Sequence, residues 1–427
     1  MSRMPRRTFI SSSIAGAGVA LASPWLGRAR ASANESIVVG VMGVNGRGSS
    51  LARSFAQRPN CEVAYVCDVD SRAIGKGVDS VDGVQARTPE GVADFRRILD
   101  DESVDVLVVA TPNHWHAPAT ILGCAHGKHV YVEKPCSHTP WEGEMAVAAA
   151  RKFDRVVTMG TQRRSHTVHR EAISRLHDGA IGEVLYARSW YAARRGAIGQ
   201  GAAAPVPEWL DYDLWQGPCT PRPFKDNLIH YNWHWHWHWG NGELGNNGVH
   251  ALDVARWGLG VDYPTRVVSA GGRYRFEDDQ ETLDTHMVAF EFGRKMITWE
   301  GLSWSPHGIN GAGFGVTFHG SEGMMHFFDT GYRIEDQQRQ VVDDQNGPND
   351  DATHIENFLT SIRENQRPNA DIEEGHKSTL LCHLGNISSR VGRALTTSAE
   401  DGKIANDDQA AALWTKEYRD GWTPSID

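Results

Sequence analysis

No run of lysine and arginine long enough to follow a phosphate backbone occurs in this chain, so nucleic acid is not an expected partner. Cysteine is sparse: Cys61, Cys67, Cys124, Cys136, Cys219 and Cys382 are scattered, without the paired spacing of a zinc site. Several sit in apolar, strand-like runs, which makes buried free thiols the expectation. No apolar stretch matches the roughly 20 strongly apolar residues of a membrane-spanning helix; the nearest, SSSIAGAGVALASPWLG, is shorter and weaker. Internal repeats and a long linker are also missing, which excludes solenoid and propeller architectures.

What is present is ordinary globular material, 40% hydrophobic and 22% charged over 427 residues, enough for about two domains. The one excess is aromatic, with 15 tryptophans; Trp190, Trp209 and Trp215 suit either carbohydrate stacking or core packing. The chain opens with PRRTFI, whose twin arginines Arg6 and Arg7 precede a modestly apolar run and an ASA at 31–33. Residues 1–33 are therefore expected to be a twin-arginine export signal, cut after Ala33, and the protein periplasmic or otherwise exported. A retained anchor is the alternative; once the signal is cut, no membrane association is expected. Cleavage removes five arginines and no acid, taking the formal charge from −10 to −15. Proteins on this route generally fold before export, which suits unpaired thiols.

From Ser36 to about Met159 short Val-rich runs (IVVGVMG, CEVAYVCD, VDVLVVATP, HVYVEKP, RVVTMG) alternate with helix-length polar stretches. Continuous apolar strands of this kind imply a parallel sheet covered on both faces, a doubly wound α/β domain over residues 34–160. Beyond Thr161 the runs RVVSAGGRYRF, HMVAFEF, KMITWEGLSW and GVTFHG alternate with period two, which predicts a largely antiparallel sheet in an α+β domain over 161–427. Helices are expected at HREAISRLHDG, GVHALDVARWGLG, HIENFLTSIREN and KSTLLCHLGNISSRVGRAL, the last ones free to pack back on the first domain, and a mobile loop at Gly199–Pro207.

The first strand runs into GVMGVNGRGSSLARSF, a glycine-rich turn between strand and helix. Gly43, Asn45 and Gly48 occupy the three fingerprint positions of a dinucleotide site, with Gly46 as an extra glycine and Arg47 beside it. Such a turn brings backbone close to a pyrophosphate at a helix N-terminus. Asn45 departs from the usual glycine, although asparagine tolerates left-handed backbone. Asp68, ending the second strand, would accept bonds from an adenosine ribose and repel a 2′-phosphate, favouring NAD, with NADP the alternative.

The motifs ATPNHWHAP (110–118), GKHVYVEKP (127–135) and GNNGVHALDVARWGLG (245–260) resemble the Gfo/Idh/MocA family, the glucose–fructose oxidoreductase and inositol dehydrogenase relatives, over essentially all of the chain past the signal. The resemblance implies a Rossmann domain, a saccharide or polyol substrate, homo-oligomers (dimer or tetramer) and a cleft between domains. It places Lys134 against the nicotinamide and the reacting hydroxyl, and Glu133, Thr111, Pro112, Asn113, His116 and Gln162 around the cofactor. Arg163 and Arg164 are then substrate candidates. Family members carry an Asp four residues before a His on one helix face; here these are Asn246 and His250. An amide cannot take a proton, so His250 is expected to accept the hydroxyl proton, Lys134 to polarise the oxygen, and Asn246 to orient. Glu243 is a spare acid one turn earlier.

An exported dehydrogenase meets no pool of free nicotinamide, so its cofactor is expected to be loaded during folding and held tightly. The trapped cofactor must then be restored on the same enzyme, either by reducing a second sugar or ketone, or by returning hydride to the same molecule after an elimination or epimerisation. The second route would make the protein a redox-neutral glycosidase, lyase or epimerase. A non-catalytic sugar or metal binder is the remaining alternative.

YNWHWHWHWG (231–240) is the least ordinary stretch. Extended, it would set His234, His236 and His238 on one face and Trp233, Trp235, Trp237 and Trp239 on the other, with imidazoles roughly 6 to 7 Å apart. No acid or cysteine in the run completes a metal site, so no metal is assigned. It reads instead as a strand or loop forming one wall of the substrate pocket, with His236, His238 and Trp239 as contacts.

Overall fold

The computed structural model describes residues 36–427; the export segment expected at 1–33 lies outside the described residues. Strands β1 (Ile37–Met42), β2 (Cys61–Cys67), β3 (Glu90–Val92), β4 (Val106–Val109), β5 (His129–Val132) and β6 (Val157–Met159) form one sheet in the order β3-β2-β1-β4-β5-β6. Every pairing in it is parallel. The crossovers use α1 (Arg47–Ala56), α2 (Ser71–Val81), α3 (Arg96–Asp100), α4 (Asn113–Ala125) and α5 (Pro140–Lys152). Strand order reverses at β1 and β4, and the crevice at the carboxyl ends of those two strands is where such sheets bind ligands.

The remaining chain begins with α6 (Thr167–His177) and β7 (Val184–Ala192), followed by α7 (Tyr212–Gln216) and α8 (Val249–Leu259). Then come β8 (Arg266–Gly272), β9 (Thr285–Phe292), β10 (Lys295–Leu302), β11 (Phe314–Gly320), β12 (Gly323–Phe327), β13 (Gly331–Asp336) and β14 (Val341–Asn346). Helices α9 (Ala352–Glu364) and α10 (Ile372–Val391) precede the two-residue strand β15 (Leu395–Thr396). The second sheet has nine strands in the order β14-β13-β12-β11-β7-β10-β9-β8-β15. It is antiparallel except for the β7–β10 pair.

Alternation in the sequence sets the sheet's two faces. Phe290, Ile297, Trp299, Val316 and Phe318 are fully buried beneath α8 and α10, whereas Met287 and Met296 remain exposed on the other face. Both late helices return to the first domain. Ile355, Phe358 and Leu359 of α9 join Phe55 and Tyr131 in the core behind β1 and β5. The loop at Gly199–Pro207 is tied down through the Gly201 and Ala202 backbone amides, which donate to the Asp279 and Asp226 carboxylates. All six cysteines are buried free thiols, and burial pushes Cys61 and Cys124 up to about 12. Among the described residues, no helix is long and apolar enough to cross a membrane.

Candidate active site

A cleft of about 660 Å³ opens where the glycine turn after β1 faces the helix that becomes α8. Gly43 adopts φ +88°, and a β-carbon there would meet the Ala110 carbonyl oxygen at 2.7 Å. At Gly48 a β-carbon would lie 1.9 Å from the Gly43 carbonyl oxygen, so α1 can close on the turn only with glycine at this position. Gly46 faces open space. Asn45 is not left-handed; its side-chain oxygen accepts from Lys76 Nζ at 2.8 Å. The substitution is tolerated because the turn asks nothing unusual of this residue's backbone.

Asp68 lines the cleft, held by the Val44 and Asp70 amides at 2.8 and 3.0 Å, while burial pushes its carboxyl above the ordinary value. Arg47 also lines the cleft, but its guanidinium is held by Glu133 at 2.7 Å and by both oxygens of Asp351. This latch fastens α1 to the start of α9. Thr111, Pro112, Asn113, His116 and Gln162 form the opposite wall. Asn113 Nδ2 donates to Asn241 Oδ1 at 2.9 Å, and His116 sits between the Pro135 and Thr111 carbonyls at 2.6 and 2.7 Å.

Lys134 Nζ donates to the Asn246 carbonyl at 2.9 Å and to Asn246 Oδ1 at 3.2 Å. Burial lowers its pKa, and the residue it touches is an amide that offers no compensating charge. Asn246 lies in a π-helical turn, Leu244–Gly248, that runs directly into α8, and His250 follows in the first turn of that helix. Wide turns of this type concentrate at functional sites. His250 lines the cleft with its Nδ1 buried and unpartnered. Burial first, then Arg163, Lys134 and Arg47, hold the imidazole well below its ordinary pKa. Burial and the cationic neighbours keep the ring in its neutral form. Glu243 is not a spare acid: Arg195 clamps it, and Asn247 donates to it at 2.6 Å.

Several expected substrate contacts lie elsewhere. Arg164 is buried and bonded to both oxygens of Asp253 at 2.9 Å, so it ties the second domain together. Arg163 pairs with Asp329 and covers the Phe314 ring at 4.0 Å; it is not in the cleft wall, though its charge reaches His250. The tryptophan–histidine run is not a strand. Asn232–Trp235 forms a 3-10 turn and His236 to Trp239 continue through turns, which destroys the period of two. In consequence Trp233 and His234 line the cleft, stacked with ring centres 3.6 Å apart. His236 is buried 3.6 Å from Glu281, and His238 faces a second cavity, bonded to the Thr220 carbonyl at 2.8 Å. Trp239 is buried behind Trp215, and only the latter reaches the cleft.

Sequence reasoning overlooked Tyr191, Arg195, His230, Tyr231 and Asn247, all in the cleft wall. Asn247 was the accessible one, adjacent to Asn246 in the motif. His230 bonds Asp70 at 2.7 Å across 160 residues, and no local signal announces that contact.

The glycine turn fits the close approach of a pyrophosphate, and Thr111 Oγ1 and His250 Nδ1 stand buried in the wall without partners. This is the architecture of a dinucleotide-dependent oxidoreductase. Residues 37–161 match the model described as oxidoreductase family, NAD-binding Rossmann fold, and 189–424 match the oxidoreductase family, C-terminal alpha/beta domain. The chain belongs to the Gfo/Idh/MocA oxidoreductase family, and its first domain is an NAD-binding Rossmann domain. A "Glycosyl hydrolase family 109 protein" of Saccharopolyspora erythraea is 32% identical over 164 residues, 37% of this chain and 36% of that one. An "Alpha-N-acetylgalactosaminidase" of Shewanella oneidensis is 24% identical over 163 residues, 37% and 35% of the respective chains. The chain thus spans about a third of the length of the curated relatives it matches. In fold it is similar to levoglucosan dehydrogenase in complex with NADH and levoglucosan, with TM-score 0.66, 19% identity and 85% and 99% of the two chains covered. It is also similar to aldose-aldose oxidoreductase from Caulobacter crescentus complexed with glycerol, with TM-score 0.65, 20% identity and 85% and 100% covered.

Proposed function

We propose that the protein is an enzyme acting on a carbinol carbon of a saccharide or polyol, with a tightly held nicotinamide dinucleotide. The observation that carries this reading is the convergence of Lys134 and of His250, with its unpartnered Nδ1, on the cleft beside the glycine turn. The dinucleotide, when bound, supplies a two-electron hydride acceptor and donor. His250 takes the hydroxyl proton as the C–H bond breaks, and Lys134 orients and polarises the same oxygen. Asn246 fixes Lys134 through two acceptor oxygens. His234 donates from Nδ1 to the Tyr231 carbonyl at 2.6 Å, which leaves Nε2 to accept from a sugar hydroxyl.

A redox-neutral cycle is the second reading, favoured by the similarity to a glycosyl hydrolase family 109 protein and an alpha-N-acetylgalactosaminidase. In that cycle hydride returns to the molecule it came from, after a neighbouring bond is cleaved or inverted. Export by the twin-arginine route, resting on Arg6 and Arg7, and a homo-oligomer built on the exposed sheet face complete the proposal.

The purified protein should release a nicotinamide dinucleotide on denaturation, identified by absorbance and mass spectrometry. A sugar library should then change its redox spectrum. His250→Ala should lower turnover by roughly 10²- to 10⁴-fold while the dinucleotide stays bound; undiminished turnover would exclude the assigned role. Product stoichiometry separates the two cycles: cleavage of a glycoside with no net oxidised product establishes the redox-neutral one.

A further inference from the structure

The part of the tryptophan–histidine run that leaves the cleft wall faces a second cavity, of about 370 Å³. This volume lies within the range of pockets that hold small molecules, about 300–1,000 Å³. Its wall is assembled from five separate segments: the turn leading into α5, the Cys219–Arg222 loop, the Trp237–Asn241 turn, the end of α10 and the Leu413–Glu417 stretch. Asn241 links this wall to the catalytic cleft, since its Oδ1 accepts from Asn113 of the cleft wall while its own Nδ2 donates to the His138 carbonyl.

The charges of this wall are unbalanced. Arg222, Arg390 and Lys416 line it, against a single lining carboxylate, Glu417. Lys416 is already satisfied at the floor, 2.8 Å from buried Glu142 and 2.9 Å from His138 Nδ1. Arg390 is different: among the described residues it makes no ion pair and no hydrogen bond, and its guanidinium lies over the Trp237 ring at 5.3 Å. Glu281 acts on it only at a distance, since its oxygens are turned to His236 and to the Trp237 amide. A guanidinium held by an aromatic ring at a cavity mouth, with its donors unused, is suited to a planar carboxylate, which it can bind with two parallel hydrogen bonds. Thr220, Thr415 and Asn386 add neutral polar groups of the kind that bind hydroxyls, beside apolar Pro140, Ile387 and Leu413.

We propose that this cavity is a second binding site, separate from the catalytic cleft, for a carboxylate-bearing saccharide of the uronate class, with Arg390 on Trp237 as the carboxylate anchor. The inference does not rest on the proposed reaction. Glucuronate is the probe, titrated calorimetrically into the full chain with its dinucleotide bound, with glucose and inorganic phosphate as comparison arms. Glucuronate should bind more tightly than glucose, and Arg390→Gln should weaken it roughly tenfold or more, as the loss of a charge-assisted pair requires. Arg390 is exposed and outside the buried clusters, so the variant should fold, which an unchanged thermal midpoint verifies. His234→Ala, altered in the catalytic cleft, should leave this binding intact. Equal affinity for glucuronate and glucose, tighter binding of phosphate, or no effect of Arg390→Gln would each overturn the proposal.

Discussion

Lys134 is buried against an amide, at the position where the resemblance to the family leads one to expect a carboxylate. Asparagine at 246 holds the ammonium in place without neutralising it, so burial lowers the lysine pKa unopposed by the group it touches. Asn246→Asp would place a negative charge at the position now 3.2 Å from Nζ. An opposite charge favours the protonated amine, and the lysine pKa should rise. If Lys134 serves as an ammonium, the alkaline limb of the kcat/KM profile should move to higher pH. A profile whose alkaline limb does not move in the variant would remove Lys134 from the role of titrating acid.

At the scale of elements, the 3-10 turn at Asn232–Trp235 decides which residues of an almost uniform run meet substrate. His234 is delivered to the cleft and His236, two residues on, to the interior beside Glu281. His234→Ala should raise KM by roughly tenfold, the worth of one hydrogen bond to substrate, with little change in kcat. His236→Ala should lower the thermal midpoint and leave KM alone; the reverse pattern would restore the extended reading of the run. The contrast explains what was legible beforehand. GVMGVNGRG and EKP announce themselves because a tight turn and a strand end constrain residues within a few positions, and the Val-rich runs before Met159 mark a parallel sheet for the same local reason. The geometry of WHWHWHW is imposed from outside: Glu281 binds the Trp237 amide and the Trp235 carbonyl accepts from Glu281 and Thr282, contacts some 40 residues distant. Arg163 and Arg164 are likewise held by partners remote in the chain, Asp329 and Asp253, 166 and 89 residues away.

Over the whole molecule, neutral histidines are distributed through both domains and the seam between them. His286, on β9, packs edge-on against Trp299, His354 packs on Tyr131, and His376 and His383 lie along α10. Burial lowers His286, His354 and His376 from 6.5 to about 4, and His383 to about 3. Their folded pKa values are depressed, so between pH 6.5 and about 4 the unfolded chain binds protons that the folded chain refuses. Stability from this source is complete above pH 6.5 and is lost as pH falls towards the folded values. Each group contributes up to about 1.4 kcal/mol per pH unit, and the four together roughly 5 kcal/mol per unit near pH 5. That is a large share of the 5–15 kcal/mol typical of a folded protein. Carboxylates extend the decline at lower pH: burial raises Glu374, but Arg256, Arg164 and Lys377 outweigh it and hold its pKa at about 2. Urea unfolding with saturating dinucleotide should therefore give a midpoint that is flat from pH 8 to 7 and falls steeply between 6.5 and 4.5. His376, whose Nδ1 is buried without a partner, offers the internal control. His376→Gln removes one titrating group from the native interior, and the slope of stability against pH should drop by about 1.4 kcal/mol per unit. A midpoint that stays level through pH 5 would mean that these rings take up protons in the folded state.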